Sequence, residues 1–532
     1  MNKRNYNRFF TIFVFVLFLR SVFAQPGSLD KSFGINGKVI ISLSPLNDIA
    51  QDVALQTDGK IIVTGFIFSD TSSKFVTTRF NSDGKLDNTF GIGGNVITKI
   101  GNKDDKATSV KIDKNGSIFV GGYTWTGSKY DFTLVKYKSD GTLDTRFSNG
   151  GIITTSVGIF DDMANSLAIQ NDGKIIQSGI SERVLNLEFA IVRYNSDGTL
   201  DNSFGTGGIV TTAIGTLDNR SQSVALCNDN RIILAGYSNT VTDNNFTVVK
   251  YNQDGSLDNT FGVAGKIATD IGQADDFAKS VVIQNDNKIL VSGYSFNGSK
   301  YMLSVVRYKI DGSIDSTYGV NGKEKLSINN IDDRASTSVL QSDGKLIIGG
   351  ISSNGSNFDF TLTRLDSTGK PDTNFGNVIT DINSFNDTLT SVILQNDGKV
   401  LAIGGAYNGS NYDFVIARYN NDVVTSLIDD KINNTIPKSF SLSQNFPNPF
   451  NPSTTISFQI SSISNVTLKI YNVLGKEVAT LLKGTKQQGS YRVSFDAYSV
   501  VSGLASGVYF YRLSASGKSE NFVQTKKMIL LK

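Results

Sequence analysis

Two glutamates and an arginine fall in one short segment of the chain, at Glu182, Arg183 and Glu188. A pair of carboxylates beside a cation is the minimum requirement for glycosidase-like acid–base catalysis. The chain contains no histidine, which excludes histidine-based triads, histidine metal sites and histidine acid–base catalysis. The alternative for the three charged residues is a solvated surface loop. We favour that alternative and therefore expect no catalytic residue and no enzymatic activity.

A second candidate is a pair of Asp or Asn residues that recurs along the chain. The pairs are Asn47-Asp48, Asp104-Asp105, Asp161-Asp162, Asp218-Asn219, Asp275-Asp276, Asp332-Asp333 and Asn386-Asp387. If the repeat sets them in a ring around a channel mouth, their oxygens suit Ca²⁺, with Asp105, Asp162, Asp276 and Asp333 as candidate ligands. The alternative is that these side chains accept hydrogen bonds from backbone N–H groups of a turn. We favour the turn and expect no metal and no cofactor.

Aromatic residues are the third candidate, because they fall in the connections that also hold the glutamates. They are Tyr123, Trp125, Tyr130, Tyr301, Tyr407 and Tyr412. Exposed aromatic rings beside Asn and Asp suit stacking on sugars or contact with a protein partner. The alternative is that these rings turn inward and cap the hydrophobic core. The six residues are the predicted ligand-binding set.

These residues are positioned by a repeat of 57 residues. The turn dipeptide Asp58-Gly59 reappears at Asn115-Gly116, Asp172-Gly173, Asp229-Asn230, Asp286-Asn287 and Asp343-Gly344, and then at Asp397-Gly398 after 54 residues. An Asp-Gly turn needs positive φ and indicates a tight hairpin. Asn also tolerates a left-handed backbone where it replaces Gly. Each unit contains four short β-like runs, which is typical of one blade of a β-propeller.

The two ends of the repeat array indicate a closed ring. Seven units carry the first three strands, and the last unit ends near Tyr419 without a fourth strand. A spare copy of the fourth strand, GSLDKSFGINGKVIISL at 27–43, precedes the first unit. Pairing the two removes an exposed sheet edge. The sequence therefore predicts an all-β fold, with a seven-bladed propeller over residues 25–420 that is closed by an N-terminal strand. The alternative is an open solenoid.

A cation also repeats on the third strand, and we expect it to pair with the Asp of the Leu-Asp or Ile-Asp that follows. Its positions are Arg79, Lys136, Arg193, Lys250, Arg307, Arg364 and Arg418. Seven equivalent sites indicate architecture and not ligand binding.

The N-terminus reads as a signal peptide over residues 1–24. Basic residues precede the apolar run FFTIFVFVLFL, which is too short to span a bilayer, and cleavage is predicted after Ala24. We therefore expect no transmembrane segment in the mature chain. Residues 25–439 carry a net charge of −8, which gives no electrostatic reason to bind nucleic acid. The single cysteine, Cys227, excludes an internal disulfide.

The repeat is lost after residue 420. Residues 421–439 are polar and predict a linker, and residues 440–532 show alternating runs that predict a small immunoglobulin-like β-sandwich.

The repeat units and the C-terminal tail each resemble a known family. The signature RYNSDGTLDNSFGTGGIV (193–210) recurs in each unit and resembles delta-60 repeats, a family whose biochemical role is largely unassigned. The tail resembles the type A C-terminal sorting domain of the type IX (Por) secretion pathway, through NFPNPFNPST (445–454), IYNVLGKEV (470–478), SGVYFYRL (506–513) and KKMILLK (526–532). The motif residues are Asn448, Pro449, Phe450, Gly507, Tyr509, Lys526 and Lys527.

The second resemblance implies a partner and a destination. The partner is the type IX secretion machinery, and the destination is the medium or the outer-membrane surface of a Gram-negative bacterium. Together the observations predict an exported binding scaffold for a glycan or an envelope protein. The alternative is an extracellular carbohydrate-active enzyme on a propeller.

Overall fold

The computed structural model describes residues 25–69, 72–148, 150–215, 217–272, 274–422, 427–428, 439–445, 448–450, 453–497, 504–517 and 521–531. The predicted signal peptide and its cleavage site at Ala24 lie outside these residues, as does most of the predicted linker. The described residues contain 36 strands and no α-helix. They accordingly hold no helix of the length and apolar character that membrane crossing requires. The predicted all-β class is confirmed.

Seven four-stranded antiparallel sheets form the propeller. The first strand of the chain is β1 (Lys38–Ile41). Blade 1 contains β2 (Asp48–Leu55), β3 (Ile61–Ser69), β4 (Ser72–Phe80) and β5 (Asn95–Thr98). Blade 2 contains β6 (Asp105–Ile112), β7 (Ile118–Trp125), β8 (Tyr130–Tyr137) and β9 (Ile152–Thr155). Blade 3 contains β10 (Asp162–Ile169), β11 (Ile175–Glu182), β12 (Leu187–Tyr194) and β13 (Ile209–Thr212).

The remaining blades repeat this pattern. Blade 4 contains β14 (Asn219–Leu226), β15 (Ile232–Asn239), β16 (Asn244–Tyr251) and β17 (Lys266–Thr269). Blade 5 contains β18 (Asp276–Ile283), β19 (Ile289–Phe296), β20 (Tyr301–Tyr308) and β21 (Lys323–Leu326). Blade 6 contains β22 (Asp333–Leu340), β23 (Leu346–Ser353), β24 (Phe358–Leu365) and β25 (Asn377–Thr380). Blade 7 contains β26 (Asp387–Leu394), β27 (Val400–Tyr407) and β28 (Tyr412–Tyr419), with β1 as its fourth strand.

The hairpin turns adopt the backbone that the sequence predicts. Gly59 has φ of 84°, and Asn230 and Asn287, which replace glycine at the same turn, have φ of 63° and 62°. A left-handed residue is therefore required at this turn in the blades, and Asn supplies it where Gly is absent. The second and third strands are almost wholly buried, because each blade packs against a neighbour on both faces.

The ring closes through the N-terminal strand, as predicted. Strand β1 pairs antiparallel with β28 through the register Lys38↔Ala417 to Ile41↔Phe414, and Leu29 bridges Tyr419. The open solenoid is therefore excluded.

A cation–carboxylate pair recurs in each blade. The predicted Leu-Asp or Ile-Asp partner is confirmed in blades 1 to 5, whereas the partner in blade 6 is the Asp of Pro371-Asp372 and that in blade 7 precedes the cation in the chain. The third-strand cation lies 2.7–3.4 Å from the carboxylate of the following repeat motif, in Arg79–Asp87, Lys136–Asp144, Arg193–Asp201, Lys250–Asp258, Arg307–Asp315, Arg364–Asp372 and Arg418–Asp30. Each cation also lies 4.4–5.5 Å from the centre of an aromatic ring, at Phe90, Phe147, Phe204, Phe261, Tyr318, Phe375 and Phe33 respectively. In blade 7 both Asp30 and Phe33 come from the other end of the chain.

The same aromatic rings join neighbouring repeats. A Cβ at Gly84 would lie 2.9 Å from the ring of Phe33, and a Cβ at Gly141 would lie 2.8 Å from that of Phe90. Both glycines have φ near 90°. Glycine is therefore required at both positions for two reasons: the backbone is left-handed, and the ring of the preceding repeat leaves no room for a Cβ.

The C-terminal unit is a sandwich of two four-stranded sheets. One has the order β29 (Leu427–Ile428), β34 (Gly489–Asp496), β31 (Ser453–Ile460) and β30 (Ser441–Leu442). The other has the order β33 (Glu477–Lys486), β32 (Ser464–Asn472), β35 (Gly507–Gly517) and β36 (Asn521–Leu530). Both sheets contribute to one hydrophobic core, for example through Ile456, Phe458, Leu468 and Tyr511. The predicted sandwich is confirmed, and β29 adds two residues of the predicted linker to it.

We expect Asp30→Ala to weaken closure of the ring. Without this carboxylate the buried guanidinium of Arg418 loses its charge partner, and breaking such a pair costs about 3–5 kcal/mol. In urea unfolding of the full chain, Asp30→Ala should have a lower midpoint than the natural chain. The control is Asp397→Ala, whose exposed carboxylate lies 3.7 Å from Lys399 and should change stability by less than about 1 kcal/mol. Equal midpoints for the two variants would contradict the closing role of Asp30.

The repeated pairs also predict how stability responds to acid. Burial opposes ionisation of Asp201, but hydrogen bonds from Lys174 and Ser203 and the charge of Arg193 outweigh it and hold its pKa well below the usual range. For a carboxyl with a depressed pKa, the stabilisation is complete above the unfolded-state pKa and is lost as pH falls through the folded-state pKa. The stability difference between the natural chain and Asp201→Asn should therefore be constant from pH 7 to about pH 4 and shrink below it. Urea titrations at stepped pH measure this difference, and a difference that grows on acidification would contradict it.

Candidate binding face

One end of the propeller carries the connections between the second and third strands of each blade and the crossovers from each fourth strand to the next blade. We call this end the upper face. The first member of each recurring Asp or Asn pair accepts a hydrogen bond of 2.8–3.0 Å from a backbone N–H at the start of the third strand of the preceding blade. These donor and acceptor residues are Ser73 and Asp104, Tyr130 and Asp161, Leu187 and Asp218, Asn244 and Asp275, Tyr301 and Asp332, Phe358 and Asn386, and Tyr412 and Asn47.

The second member of each pair is fully buried. The carboxylate of Asp105 accepts hydrogen bonds from the backbone N–H groups of Ile100 and Gly101, and that of Asp162 accepts them from Val157 and Gly158. Asp276 and Asp333 are held in the same way by the N–H groups of Ile271 and Ile328. The four calcium candidates therefore act as turn-forming side chains and do not present an open ring of carboxylates to solvent.

The predicted aromatic residues lie on the upper face but in three separate groups. In blade 2, Tyr130 makes edge contacts with Tyr123 at 5.3 Å and Trp125 at 5.2 Å, and Lys103 lies over the Trp125 ring. In blade 7, Tyr407 and Tyr412 lie 5.3 Å apart. Within the described residues no ring contact joins these two groups to Tyr301. All six side chains are half-buried, so the rings pack on each other and still reach the surface.

A bulge interrupts the pairing of the first strand with the second strand in every blade. The pairing register skips Gln51, Thr108, Asn165, Gln222, Lys279, Ser336 and Thr390 in turn. A bulge leaves its extra residue outside the hydrogen-bond ladder and re-aims its side chain. Lys279 is the one charged residue at these seven positions, so blade 5 departs from the repeat.

Lys279 belongs to a group of cations and aromatic rings that extends over blades 4, 5 and 6. Its ammonium lies 5.8 Å from the ring of Tyr237 and 5.9 Å from that of Tyr294. Arg334 lies 4.9 Å from the ring of Tyr301. We call this group the cation–aromatic cluster; its members are Arg220, Tyr237, Phe277, Lys279, Tyr294, Phe296, Tyr301, Arg334 and Phe358.

The rings of the cluster form a continuous chain. Phe277 lies 4.9 Å from Tyr237 and 5.1 Å from Tyr294, which in turn lies 5.3 Å from Tyr301. Phe296 extends this chain at 5.2 Å from Tyr301. Every member is half-buried, so the cluster is a surface feature and not part of a blade core.

The cluster concentrates positive charge on an otherwise acidic propeller. Burial lowers the pKa of Lys279, and the nearby charge of Arg220 lowers it further. Arg334 pairs with Asp332 at 3.2 Å, whereas neither Arg220 nor Lys279 has an ion-pair partner within the described parts of the chain. Burial raises the pKa of Tyr294 to about 12, so this phenol stays protonated and can donate a hydrogen bond at neutral pH. Two cations without an ion-pair partner, beside rings in edge-to-face and tilted contact, are suited to an anionic ligand with flat apolar faces.

The sequence pattern predicted Tyr301 as a ligand-binding residue but not the cations Arg220, Lys279 and Arg334 of this cluster. The predicted aromatic residues lie at the connections between the second and third strands, whereas Arg220, Phe277, Lys279 and Arg334 lie on first strands. The available signal was the replacement of an uncharged polar residue by lysine at one repeat position.

The two glutamates considered for catalysis point away from each other. In the β11–β12 register, Ser181 pairs with Glu188 and Glu182 pairs with Leu187. Paired residues share a face of the sheet and successive residues alternate, so the two carboxylates lie on opposite faces. Glu188 bonds Arg183 at 3.2 Å. The pair therefore lacks the common site that acid–base catalysis needs.

The sorting-motif residues tie the end of the chain to the C-terminal sandwich. The side-chain oxygen of Asn448 accepts a hydrogen bond from the N–H of Ile529, and the backbone of Phe450 bonds Ile529 and Leu531. The Phe450 ring is buried beside Phe495. Gly507 begins β35, the hydroxyl of Tyr509 donates to the carbonyl of Ala505, and Lys526 and Lys527 lie on β36, with Lys527 exposed. Pro449 follows Asn448 through a cis peptide bond.

Two family models match the chain. The secretion system C-terminal sorting domain matches residues 444–531. A β-propeller domain of unknown function, DUF5122, matches seven segments, at 56–90, 114–147, 170–204, 227–261, 284–318, 341–375 and 395–422. No curated protein matches the chain.

Several solved structures are similar at low identity. PorZ, a surface component of the type IX secretion system of Porphyromonas gingivalis, is 11% identical with a TM-score of 0.40; the similarity covers 90% of this chain and 59% of PorZ. Virginiamycin B lyase from Staphylococcus aureus is 12% identical with a TM-score of 0.43, covering 71% of this chain and 98% of the lyase. The polysaccharide lyase Uly1 is 11% identical with a TM-score of 0.42, covering 74% of this chain and 93% of the lyase.

Proposed function

Because the chain belongs to the DUF5122 β-propeller family and ends in a type IX sorting domain, we propose that it is an exported, non-catalytic scaffold whose upper face binds an acidic glycan. The sorting domain indicates export through the type IX system to the cell surface or the extracellular space. The observation that carries the proposal is the cation–aromatic cluster, where the unpaired cations Arg220 and Lys279 stand among a continuous chain of rings.

The chemistry of the cluster favours a sugar acid over a neutral sugar. Aromatic faces stack on the apolar faces of pyranose rings, and ammonium and guanidinium groups bind carboxylate or sulfate with charge-assisted hydrogen bonds. The propeller outside the cluster is acidic overall, so long-range attraction is weak and binding depends on these local contacts.

The departure from symmetry also supports a binding role. Features present in all seven blades are explained by ring construction, as the repeated ion pairs are. Lys279 is charged in one blade only, at a position that six other blades fill with Gln, Thr, Asn or Ser. A recognition site on a repeat protein is expected at such a departure.

We expect Lys279→Gln to reduce the affinity for an acidic polysaccharide such as polygalacturonate by roughly tenfold or more, because one charged hydrogen bond contributes about 1.5–3 kcal/mol. Glutamine occupies the equivalent position in blade 4, at Gln222, so the blade should fold normally. Tyr301→Ala should also weaken binding through lost stacking. The measurement is isothermal titration with polygalacturonate and, for comparison, neutral dextran.

The matched control is Lys85→Gln, which removes an equally charged, exposed lysine from the opposite face. It should bind as the natural chain does. Binding of polygalacturonate that is unaffected by Lys279→Gln, or no binding of polygalacturonate or any sulfated glycan by the natural chain, would overturn the glycan proposal in favour of a protein ligand.

Removal of residues 440–532 should retain the shortened chain in the periplasm, because the sorting domain is then absent. Phe450→Ala should also reduce export, because truncation of a buried Phe costs about 3–5 kcal/mol of folding free energy and so destabilises the small sandwich. Fractionation of the native cells measures both, with Trp125→Ala on the propeller as a control that should be exported normally. Export of the shortened chain would contradict the role of the tail.

A further inference from the structure

A lysine side chain supplies a cation at the junction between blades 2 and 3. Lys129, in the connection before β8, extends towards the crossover into blade 3 and is surrounded by oxygen atoms. Its ammonium donates to Ser156 Oγ, to the carbonyls of Gly158 and Phe160, and to the carboxylate of Asp162, and it lies 3.0 Å from a carboxylate oxygen of Asp131.

A lysine ammonium also lies among oxygen atoms at the junction between blades 5 and 6. Lys300 stands three repeats after Lys129, and its ammonium donates to Ser327 Oγ at 2.9 Å and to the side-chain oxygen of Asn330. Two of the junctions therefore hold a positive charge at one repeat position, supplied by the chain itself.

The junction between blades 6 and 7 has the oxygen atoms but lacks this lysine. The strand registers align Thr155 with Thr380, so Ser156 corresponds to Asp381 and Asp162 to Asp387. Asp359 corresponds to Asp131, and Asn357 replaces Lys129. Each of the three aspartates offers one carboxylate oxygen, and these oxygens all lie within 4.8 Å of one another. Compared with the junction between blades 2 and 3, an aspartate stands in place of serine and an asparagine in place of lysine.

Two of these carboxylates are buried with an oxygen that nothing satisfies. Asp387 is fully buried and Asp359 is 3% exposed. One oxygen of Asp359 accepts a hydrogen bond from Asn354, and one oxygen of Asp387 accepts one from the N–H of Ile382. The other oxygen of each residue has no hydrogen-bond partner within the described structure. Buried carboxylates are stabilised in the ionised form when they are paired with a cation or coordinate a metal.

We propose that Asp359, Asp381 and Asp387 bind a divalent cation, Ca²⁺, at the junction between blades 6 and 7. The donor set is made of oxygens, which Ca²⁺ prefers. Ca²⁺ takes six to eight oxygens in flexible geometry, whereas Mg²⁺ demands near-ideal octahedral geometry. The carbonyls of Asn383 and Phe385 stand at the repeat positions of Gly158 and Phe160, which bond Lys129, and so provide further oxygens.

The proposed ion replaces an internal cation, so it is expected to stabilise the junction. Three carboxylates meet here, against two at the lysine-bearing junction between blades 2 and 3. The nearby Lys38 donates to the main-chain carbonyl of Asp381, at 3.3 Å, and not to its carboxylate. Since the unfolded chain holds no such cage, Ca²⁺ should bind the folded state alone and raise its melting temperature.

The test uses the full chain, freed of metal with EDTA, in thermal melts and isothermal titration with CaCl₂ up to about 5 mM, above the roughly 10⁻⁴–10⁻³ M dissociation constants of extracellular calcium sites. We expect Ca²⁺ to bind and to raise the melting temperature. Asp381→Asn should abolish both effects, and because Asp381 is exposed, this variant should still fold. The control is Asp413→Asn at the junction between blades 7 and 1, where Ser42 stands in place of the third acid.

A second variant tests the lysine comparison directly. Asn357→Lys places the side chain of blades 2 and 5 into blade 6. It should raise the melting temperature in EDTA towards that of the calcium-loaded natural chain and remove the response to calcium. The proposal is overturned if the natural chain neither binds Ca²⁺ nor shifts its melting temperature, or if Asp381→Asn responds to Ca²⁺ as the natural chain does.

Discussion

The structure depends on one contact between the two ends of the ring, the pairing of Arg418 with Asp30 under the ring of Phe33. These residues are 388 positions apart in sequence, yet they reproduce the contact that joins Arg79 to Asp87 within eight residues. The repeat signature is thereby explained as the means by which each blade holds the next. Closure also covers the outer edge of β28 with β1, as the fourth strand covers the third in every other blade, and defines the two faces on which every other feature is placed.

In this fold, features shared by all blades serve the architecture, and features of single blades are the candidates for recognition. The hairpin turns, the ion pairs and the buried aspartates recur around the ring, and each has a structural explanation that is the same in every blade. The departures are few and local: lysine at the bulge of blade 5, and three convergent carboxylates between blades 6 and 7. Lys279 lies on a strand, whereas Asp381 lies in a crossover of the upper face, where a connection tolerates substitution without loss of blade packing.

The sequence predicted the fold far better than the site. Turn dipeptides and a displaced fourth strand were sufficient for blade count, closure and the partners of Arg79 and its equivalents, because these follow from periodicity. The same periodicity could not show whether the repeated aspartates are exposed. Asp105 and Asp276 are buried because backbone N–H groups of the crossover donate hydrogen bonds to their carboxylates. The cation–aromatic cluster was hidden because a bulge, which one sequence does not reveal, takes Lys279 out of the pairing register, and its ring contacts lie on other strands.

The placement of β1 in the last blade constrains the timing of assembly. A chain synthesised from its N-terminus presents residues 27–41 first, but their sheet is complete only when β28 has been made, so the ring stays open until the whole array has emerged. Joining such distant segments carries a loop-closure entropy that local hairpins avoid. Blades 1 to 6 can therefore form as they appear, while blade 7 waits with an unpaired edge, and the last step of folding is also the one most exposed to faulty association with another molecule.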